Sequence, residues 1–215
     1  MSARALLALR LLPPAALFLA TSSHCLDAAA PGPPPSPYKP LDFSRSQLKH
    51  HLLHGSLSGP DKVSSYELAL SDDRRSLRGS VTLGKQLCGH PAFIHGGAIA
   101  SVLDDTMGVL FLSSGNGTGF TANLNVNYRR PVPAGTRLTV DCAVLRVESS
   151  KSGARKVFLS GRLLGAGAGS SAATDPLPAA PTVYAEATAL FIVKTVPGLE
   201  SSEALVASIK GALGI

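Results

Sequence analysis

The sequence predicts an α+β domain in which one buried helix packs against an antiparallel sheet of about six strands. Residues 97–112 are almost all apolar, and such a run is too long for a buried strand but fits a buried helix. In residues 120–129, Phe, Ala, Leu, Val and Tyr alternate strictly with Thr, Asn and Arg, which is the period of a strand. Further strand patterns on both sides of these two segments supply the rest of the sheet.

The elements of the domain can be placed in order along residues 62–196. Strand patterns at 66–70 and 77–83 flank the polar stretch 71–75, which predicts a hairpin. After the helix, residues 113–119 form a Gly/Ser/Asn loop. The remaining strands are predicted at 120–129, 136–147, 155–164 and 183–193. Residues 165–181 are poor in large apolar side chains and predict a flexible insertion. Residues 197–215 form a tail with a short helix.

A sheet that covers one helix has open edges, and a second copy of the chain would cover such an edge. We therefore expect a homodimer or a dimer of dimers.

Composition narrows the class of protein. The chain has 215 residues, 45% of them apolar, which is enough for one domain with flanking segments. Cys25, Cys88 and Cys142 are widely spaced, so we expect reduced thiols and neither a disulfide framework nor a zinc site. The net charge of +6 suits a ligand that carries phosphates. Basic residues are not clustered or interleaved with aromatics, so no nucleic-acid partner is predicted.

The first 28 residues have the pattern of a targeting segment. They are apolar, contain Arg4 and Arg10, and have no acidic residue before Asp27. Arg10 and the Pro13-Pro14 pair interrupt the apolar run, which favours an organelle, with the mitochondrion first. A secretory signal that ends near Ala20 is the alternative. The apolar stretches are too short for a stable membrane span.

Residues 29–61 are predicted to be a proline-rich linker followed by a short polar helix over 44–55 that stops at Gly55. His50 and His54 lie four residues apart there, a spacing that can bind a metal. Neither an acidic residue nor a cysteine accompanies them, so the segment predicts a solvated helix face and no metal site.

The chemistry is concentrated at the start of the buried helix. Gly96 and Gly97 open it, and their N–H groups lie at the positive end of the helix dipole, where they can stabilise an oxyanion. Asp104 follows about two turns later. A carboxylate inside an apolar run needs an explanation, because burying an unpaired charge is costly. Asp104 and Asp105 could also be a solvent-facing pair.

Three motifs together resemble the PaaI-type hot-dog thioesterases. They are the His-Gly-Gly-Ala-Ile-Ala segment with an Asp nine residues after the His, the segment 121–133, and the final strand 183–191. The likeness is closest to the mitochondrial acyl-CoA thioesterases of the thioesterase superfamily and spans about 62–195.

This resemblance implies a role for each site residue. Asp104 is the carboxylate that activates water or attacks the thioester. Gly96, with Gly97, holds the carbonyl oxygen. Thr121 is a position that the dimer partner contributes, and His95 is a structural motif residue. Two positions depart from the family, namely Asp105, where many relatives have a small residue, and Gly89, where some have Asn or Gln.

The implied activity is the hydrolysis of fatty acyl-CoA to free fatty acid and CoA, with no cofactor because CoA is part of the substrate. Arg129, Arg130, Arg155 and Lys156 are candidates for the CoA phosphates, since forked cationic groups bind phosphate well. The alternatives are a hydratase or dehydratase of acyl thioesters and a non-catalytic acyl-CoA-binding protein.

Overall fold

The computed structural model describes residues 37–41, 50–149, 155–165, 181–193 and 211. Within these ranges the chain forms one long helix, α1 (Gly96–Ser113), and two short helical turns, Leu52–Ser56 and Lys85–Leu87. The strands are β1 Tyr38–Pro40, β2 Val63–Ser71, β3 Ser76–Leu83, β4 Cys88–His90, β5 Phe93–Ile94, β6 Gly119–Tyr128, β7 Arg137–Ser149, β8 Arg155–Gly165 and β9 Thr182–Val193.

Seven strands form one antiparallel sheet in the order β1-β2-β3-β7-β8-β9-β6. The short pair β4-β5 stands apart from this sheet and leads directly into α1. α1 packs against β3, β6, β7, β8 and β9, so the helix lies against one face of the sheet. The sheet therefore ends at β1 on one side and at β6 on the other.

The core lies between α1 and the sheet. Val102, Leu103, Met107 and Leu110 are fully buried on the helix, and burying each such side chain contributes about 1.5–3 kcal/mol. On β8, a Cβ at Gly161 would lie 3.3 Å from Leu103 and 3.4 Å from Met107, so a glycine lets the helix approach closely. α1 is long and apolar enough to cross a membrane, but half of it is buried in this core.

The structure confirms the predicted α+β class and the hot-dog arrangement. The predicted helix 97–112 is α1, and the predicted hairpin is β2-β3, with Tyr66 paired to Val81. The four later strands match β6, β7, β8 and β9 to within about two residues. The main sheet has seven strands and not about six, because part of the predicted linker joins it.

That additional strand is β1. Tyr38, Lys39 and Pro40 pair antiparallel with the end of β2, although the sequence placed them in the proline-rich linker. A proline is compatible with this position because β1 is an edge strand. Lys39 also forms an exposed ion pair with Asp72 (Nζ–Oδ1 2.9 Å). The linker prediction was therefore wrong at residues 38–40.

The predicted short helix over 44–55 is described only from His50 onward. There the chain forms a single π-helical turn, Leu52–Ser56, which ends one residue after the predicted stop at Gly55. The targeting segment and most of the insertion 165–181 and of the tail 197–215 lie outside the described residues.

Candidate functional site

His95 starts the central helix. Its side chain caps α1, because Nδ1 accepts a hydrogen bond from the Gly97 N–H at 2.9 Å. A histidine nitrogen that accepts in this way carries no proton, so in the neutral ring the proton lies on Nε2. The family resemblance implied a structural role for His95, and this capping contact supports it.

Gly96 presents the free N–H at the helix start. The Gly97 N–H is used by His95, whereas the structure gives the Gly96 N–H no acceptor among the residues it describes. Tyr128 packs over this glycine and donates its hydroxyl hydrogen to the Gly96 C=O at 3.0 Å. A Cβ at Gly96 would lie 3.3 Å from the Tyr128 ring, so a larger residue would require a small shift of that ring. Of the two glycines, Gly96 is the better oxyanion donor.

Gly89 is explained by the same histidine. A Cβ at Gly89 would lie 2.7 Å from Cδ2 of His95, so any side chain there would displace the capping ring. The Asn or Gln that some relatives carry at this place could not be accommodated without moving the ring of His95.

Asp104 and Thr121 form the central polar pair of the site. The Thr121 hydroxyl donates to Asp104 Oδ1 at 2.9 Å, and the pair lies open to solvent. One carboxylate oxygen is thus oriented by the threonine. The resemblance implied that the dimer partner supplies the threonine, whereas here Thr121 bonds Asp104 of its own chain.

A β-bulge in β6 directs Thr121 toward the helix. The pairing with β9 shifts between Thr121 and Asn123, so that Thr121 lies opposite Phe191 and Leu124 lies opposite Ala189. Phe191 and Ala189 are both buried and share the helix-facing side of β9. Thr121 and Leu124 therefore face the same side, whereas strict alternation would have placed them on opposite sides.

The environment of Asp104 favours the protonated form. Burial raises the pKa of Asp104 above its ordinary value, the hydrogen bond from Thr121 lowers it, and the charge of Asp105 raises it further. The net effect is a raised pKa. A raised carboxylate pKa is typical of a general base that must accept a proton near neutral pH.

The two halves of the expected site are far apart in one chain. Eight residues of helix separate Gly96 from Asp104, which is about 12 Å at 1.5 Å per residue. A thioester carbonyl cannot be close to both groups. Gly96 and Asp104 of one chain therefore cannot both act on the same thioester carbonyl.

The four cations proposed for CoA are also divided within one chain. Arg129 is paired with Glu186 (Nη2–Oε2 2.8 Å), and with Arg130 it follows the end of β6. Lys156, preceded by Arg155, lies opposite Ile192 of β9. Ile192 in turn lies opposite Phe120, at the beginning of β6. The length of β6, about 30 Å at 3.3 Å per residue, separates the two pairs. One chain does not bring all four to one place.

The sequence interpretation missed the surroundings of Asp105. Its side chain is only 12% exposed and lies close to His51 (Nε2–Oδ1 3.3 Å) and His54 (Nε2–Oδ2 3.4 Å). The His54 side chain is 7% exposed, so the prediction that it lies on a solvated face was wrong, whereas His50 is exposed as expected. The signal in the sequence was the three-residue spacing of His51 and His54, which does not by itself connect them to Asp105.

This arrangement also distinguishes the two aspartates. Asp104 faces Thr121 and solvent, whereas Asp105 turns toward the helical turn Leu52–Ser56. They are not a solvent-facing pair. Of the two carboxylates, Asp104 is the one that a substrate could reach, and the Thr121 hydroxyl lies beside it.

Comparison with known proteins gives the following similarities. Residues 92–152 match the family model of the thioesterase superfamily. The mouse (Mus musculus) acyl-coenzyme A thioesterase THEM4 is 37% identical over 109 residues, which cover 51% of this chain and 39% of the mouse protein. The bovine (Bos taurus) THEM4 is 37% identical over 111 residues, which cover 51% of this chain and 37% of that protein. The chain thus spans about two fifths of the length of these curated relatives.

Among solved structures, the zebrafish thioesterase superfamily member 2 is similar over 61% of this chain and 83% of its own. Its sequence identity is 16% and its TM-score is 0.48.

Proposed function

We propose that this chain, whose residues 92–152 match the family model of the thioesterase superfamily, is an acyl-CoA thioesterase that hydrolyses fatty acyl-CoA to free fatty acid and CoA. The observation that carries the proposal is the hydrogen bond between Thr121 and Asp104, which orients the Asp104 carboxylate. This carboxylate is half-buried, has a raised pKa and can still be reached from solvent. Such a group can take a proton from water at neutral pH.

In the proposed reaction Asp104 acts as the general base. It takes a proton from a water molecule as the water oxygen attacks the thioester carbonyl carbon, and the carbonyl oxygen becomes an oxyanion. When the oxyanion collapses, the C–S bond breaks and the CoA thiolate leaves with the proton that Asp104 holds. The products are the free acid and CoA, and the carboxylate is regenerated.

The oxyanion donor in this proposal is the N–H of Gly96 of the partner subunit. The first N–H groups of a helix have no internal acceptor and lie at its positive end. Within one chain this donor is about 12 Å from Asp104 along the helix, so a second copy must bring its own helix start to the carboxylate. The catalytic site is then shared between two subunits.

The exposed edge of the sheet supports a homodimer through β6. This edge strand has ten residues, and Phe120 and Tyr128 expose 57% and 52% of their surface on it. β1, the other edge, has only three residues. A long edge strand with exposed aromatic side chains is a surface for pairing with another strand.

Two-fold pairing of β6 strands would complete the catalytic site. Antiparallel pairing centred on Asn125, with the bulge residue Ala122 left unpaired, sets Thr121 of one subunit opposite Tyr128 of the partner subunit. Tyr128 lies on Gly96, and Thr121 lies on Asp104. The pairing therefore brings the oxyanion donor of one subunit to the carboxylate of the other, twice in each dimer.

The same pairing would bring the four cations together. Arg129 and Arg130 of one subunit would lie near Phe120 of the partner subunit, two strands from that subunit's Lys156. With the spacing between the two β6 strands added, the two pairs of cations are three strand spacings apart, about 14 Å, which long cationic side chains and a CoA tail can span. We propose that Arg129, Arg130, Arg155 and Lys156 form this phosphate-binding surface across the dimer.

The release of CoA thiol tests the proposed activity. Purified protein is incubated with acyl-CoA substrates of increasing chain length while free thiol is measured, and we expect turnover with fatty acyl-CoA. Saturable binding without thiol release would identify a non-catalytic acyl-CoA-binding protein. With an enoyl-CoA as substrate, loss of the enoyl absorbance without thiol release would identify a hydratase.

We also propose that the first 28 residues direct the chain to an organelle, with the mitochondrion first. The arginines at positions 4 and 10, the absence of acidic residues before Asp27 and the prolines at 13 and 14 support this location.

A further inference from the structure

A cluster of three potential metal ligands lies behind the proposed catalytic carboxylate. His51 and His54 from the helical turn Leu52–Ser56 approach Asp105 of α1, and one ligand atom from each lies within 4.8 Å of the others. The side chains come from two segments separated by about fifty residues of chain. The cluster takes no part in the proposed thioesterase reaction.

The distances in the cluster fit a shared ion better than direct hydrogen bonds. The two Nε2–carboxylate distances are 3.3 and 3.4 Å, whereas charge-assisted N–H···O hydrogen bonds are usually about 2.7–2.9 Å. Ligand atoms placed tetrahedrally at about 2.0–2.1 Å from a zinc ion are about 3.3–3.4 Å apart. The two observed separations, which end on different oxygens of the Asp105 carboxylate, are therefore of the length expected between neighbouring ligands of one ion.

A second observation points to a missing positive group. Oδ2 of Asp105 is buried and receives no hydrogen bond from the residues that the structure describes, although the Tyr66 hydroxyl also lies against this carboxylate. His54 Nε2 is close, at 3.4 Å, but the contact does not satisfy this oxygen as a hydrogen bond would. A buried carboxylate oxygen without a donor is costly. A cation bound between the carboxylate and the imidazoles would remove that cost.

We propose that His51, His54 and Asp105 bind a divalent transition-metal ion of the zinc class. Two imidazole nitrogens and one carboxylate oxygen are a ligand set that such ions accept, with water as the fourth ligand. The His51 side chain is 38% exposed, so one side of the site is open to a water molecule.

The residues around the cluster hold its ligands in place. The ring of His54 stacks on that of Tyr66 with centroids 5.2 Å apart. The Tyr66 hydroxyl bonds Thr106 at 2.6 Å, and Thr106 donates to the Val102 C=O at 2.7 Å. Partners behind the ligands that restrict their orientation are typical of metal sites.

One contact opposes the metal-binding tautomer only weakly. The backbone nitrogen of His54 lies 3.5 Å from His51 Nδ1, which is beyond the usual hydrogen-bond range. His51 can therefore carry its proton on Nδ1 and leave Nε2 for the metal. The ion would fasten the turn Leu52–Ser56 to α1 and serve stability, with no part in the chemistry at Asp104.

Zinc binding to the full chain tests this site. Untagged protein is treated with EDTA, freed of the chelator and titrated with Zn²⁺ in a calorimeter, and we expect one ion per chain. His51→Gln and His54→Gln should each weaken the affinity more than about 100-fold, because even outer-shell partners are worth about 10- to 100-fold. The matched control is His50→Gln, an exposed neighbour in the same segment, which should bind like the wild type.

Melting curves recorded without metal would establish whether each variant is folded. His51→Gln, at the more exposed ligand, is the variant least expected to unfold. With Co²⁺ as the probe, the wild type should give the strong visible absorption of a tetrahedral site and the ligand variants should not. A wild type that binds no Zn²⁺, or an affinity unchanged in both ligand variants, would overturn the proposal. Neither result bears on thiol release, so the thioesterase proposal would stand or fall separately.

Discussion

Thr121 and Asp104 are seventeen residues apart in the chain and are joined by a 2.9 Å hydrogen bond. A β-bulge in β6 makes this contact possible. The bulge directs the threonine hydroxyl toward α1, where it orients one oxygen of the carboxylate. The same hydrogen bond opposes the effect of burial on the pKa of Asp104. This relationship leads to a pH prediction.

Thr121→Val should move the acidic limb of the kcat–pH profile to higher pH. The base acts in its ionised form, so activity is lost as pH falls through the pKa of Asp104. The Thr121 hydrogen bond lowers that pKa, and removing it raises the pKa further. Thr121→Ser keeps the hydroxyl and should leave the limb in place. A limb that moves to lower pH in Thr121→Val would show that the group titrating is not Asp104.

Removing the N–H of Gly96 should lower kcat by about 100- to 1000-fold, the usual effect of losing one oxyanion donor. Gly96→Pro does this at the first helical position, where proline is tolerated, and His95 already has the extended backbone that a following proline requires (φ −62°, ψ 136°). Gly96→Ala is the matched control, because it adds a Cβ against Tyr128 but keeps the N–H.

Mixing two inactive variants should restore activity if the site is shared. A dimer of one Asp104→Asn chain and one Gly96→Pro chain has one intact site and one doubly altered site. Random reassociation of equal amounts should give about a quarter of wild-type turnover, since half of the dimers are mixed and half of their sites are intact. If refolding the two variants together restores no turnover, although mixed dimers are present, each site belongs to one chain.

Neutralising Arg129 and Arg130 together should raise KM for acyl-CoA more than it lowers kcat. Phosphate contacts far from the thioester bind the ground state and the transition state alike. Arg146→Gln is a suitable control, because Arg146 lies on β7, where it is paired with Glu148. An unchanged KM would place the CoA phosphates elsewhere on the protein.

Residues 1–40 fused to a fluorescent protein should carry it into an organelle, and we expect co-localisation with a mitochondrial marker. The arginine-containing, acid-free start has the composition of an import signal. In the full chain, Asn116-Gly117-Thr118 is a glycosylation sequon. A glycan on Asn116, or secretion of the fusion, would contradict the prediction and indicate the secretory pathway.

The main elements could be predicted because their patterns are strong and local. The apolar run at 97–112 predicts α1, and the alternation of apolar and polar residues at 120–129 predicts β6. The bulge could not be predicted, since the bulge residue Ala122 is neither Gly nor Pro and the alternation looks unbroken. Strict alternation thus placed Thr121 on the wrong side of the strand.

The histidine cluster could not be predicted from spacing alone. A regular helix over 44–55 groups His50 with His54 on one face. The chain instead forms one π-helical turn, in which His51 and His54 approach Asp105 from across the fold. Tertiary contacts, and not local periodicity, decide which histidines are buried.

The most direct test of the account compares Asp104→Asn with Asp105→Asn in metal-free buffer, with both variants checked for folding. Asp104→Asn keeps the size of the side chain but removes the proton acceptor, so kcat should fall by at least about 100-fold, while CoA binding persists. Asp105→Asn should keep most of the activity, because this residue points about 100° away around the helix and contacts His51 and His54. An active Asp104→Asn enzyme would contradict the account, as would loss of activity in Asp105→Asn alone.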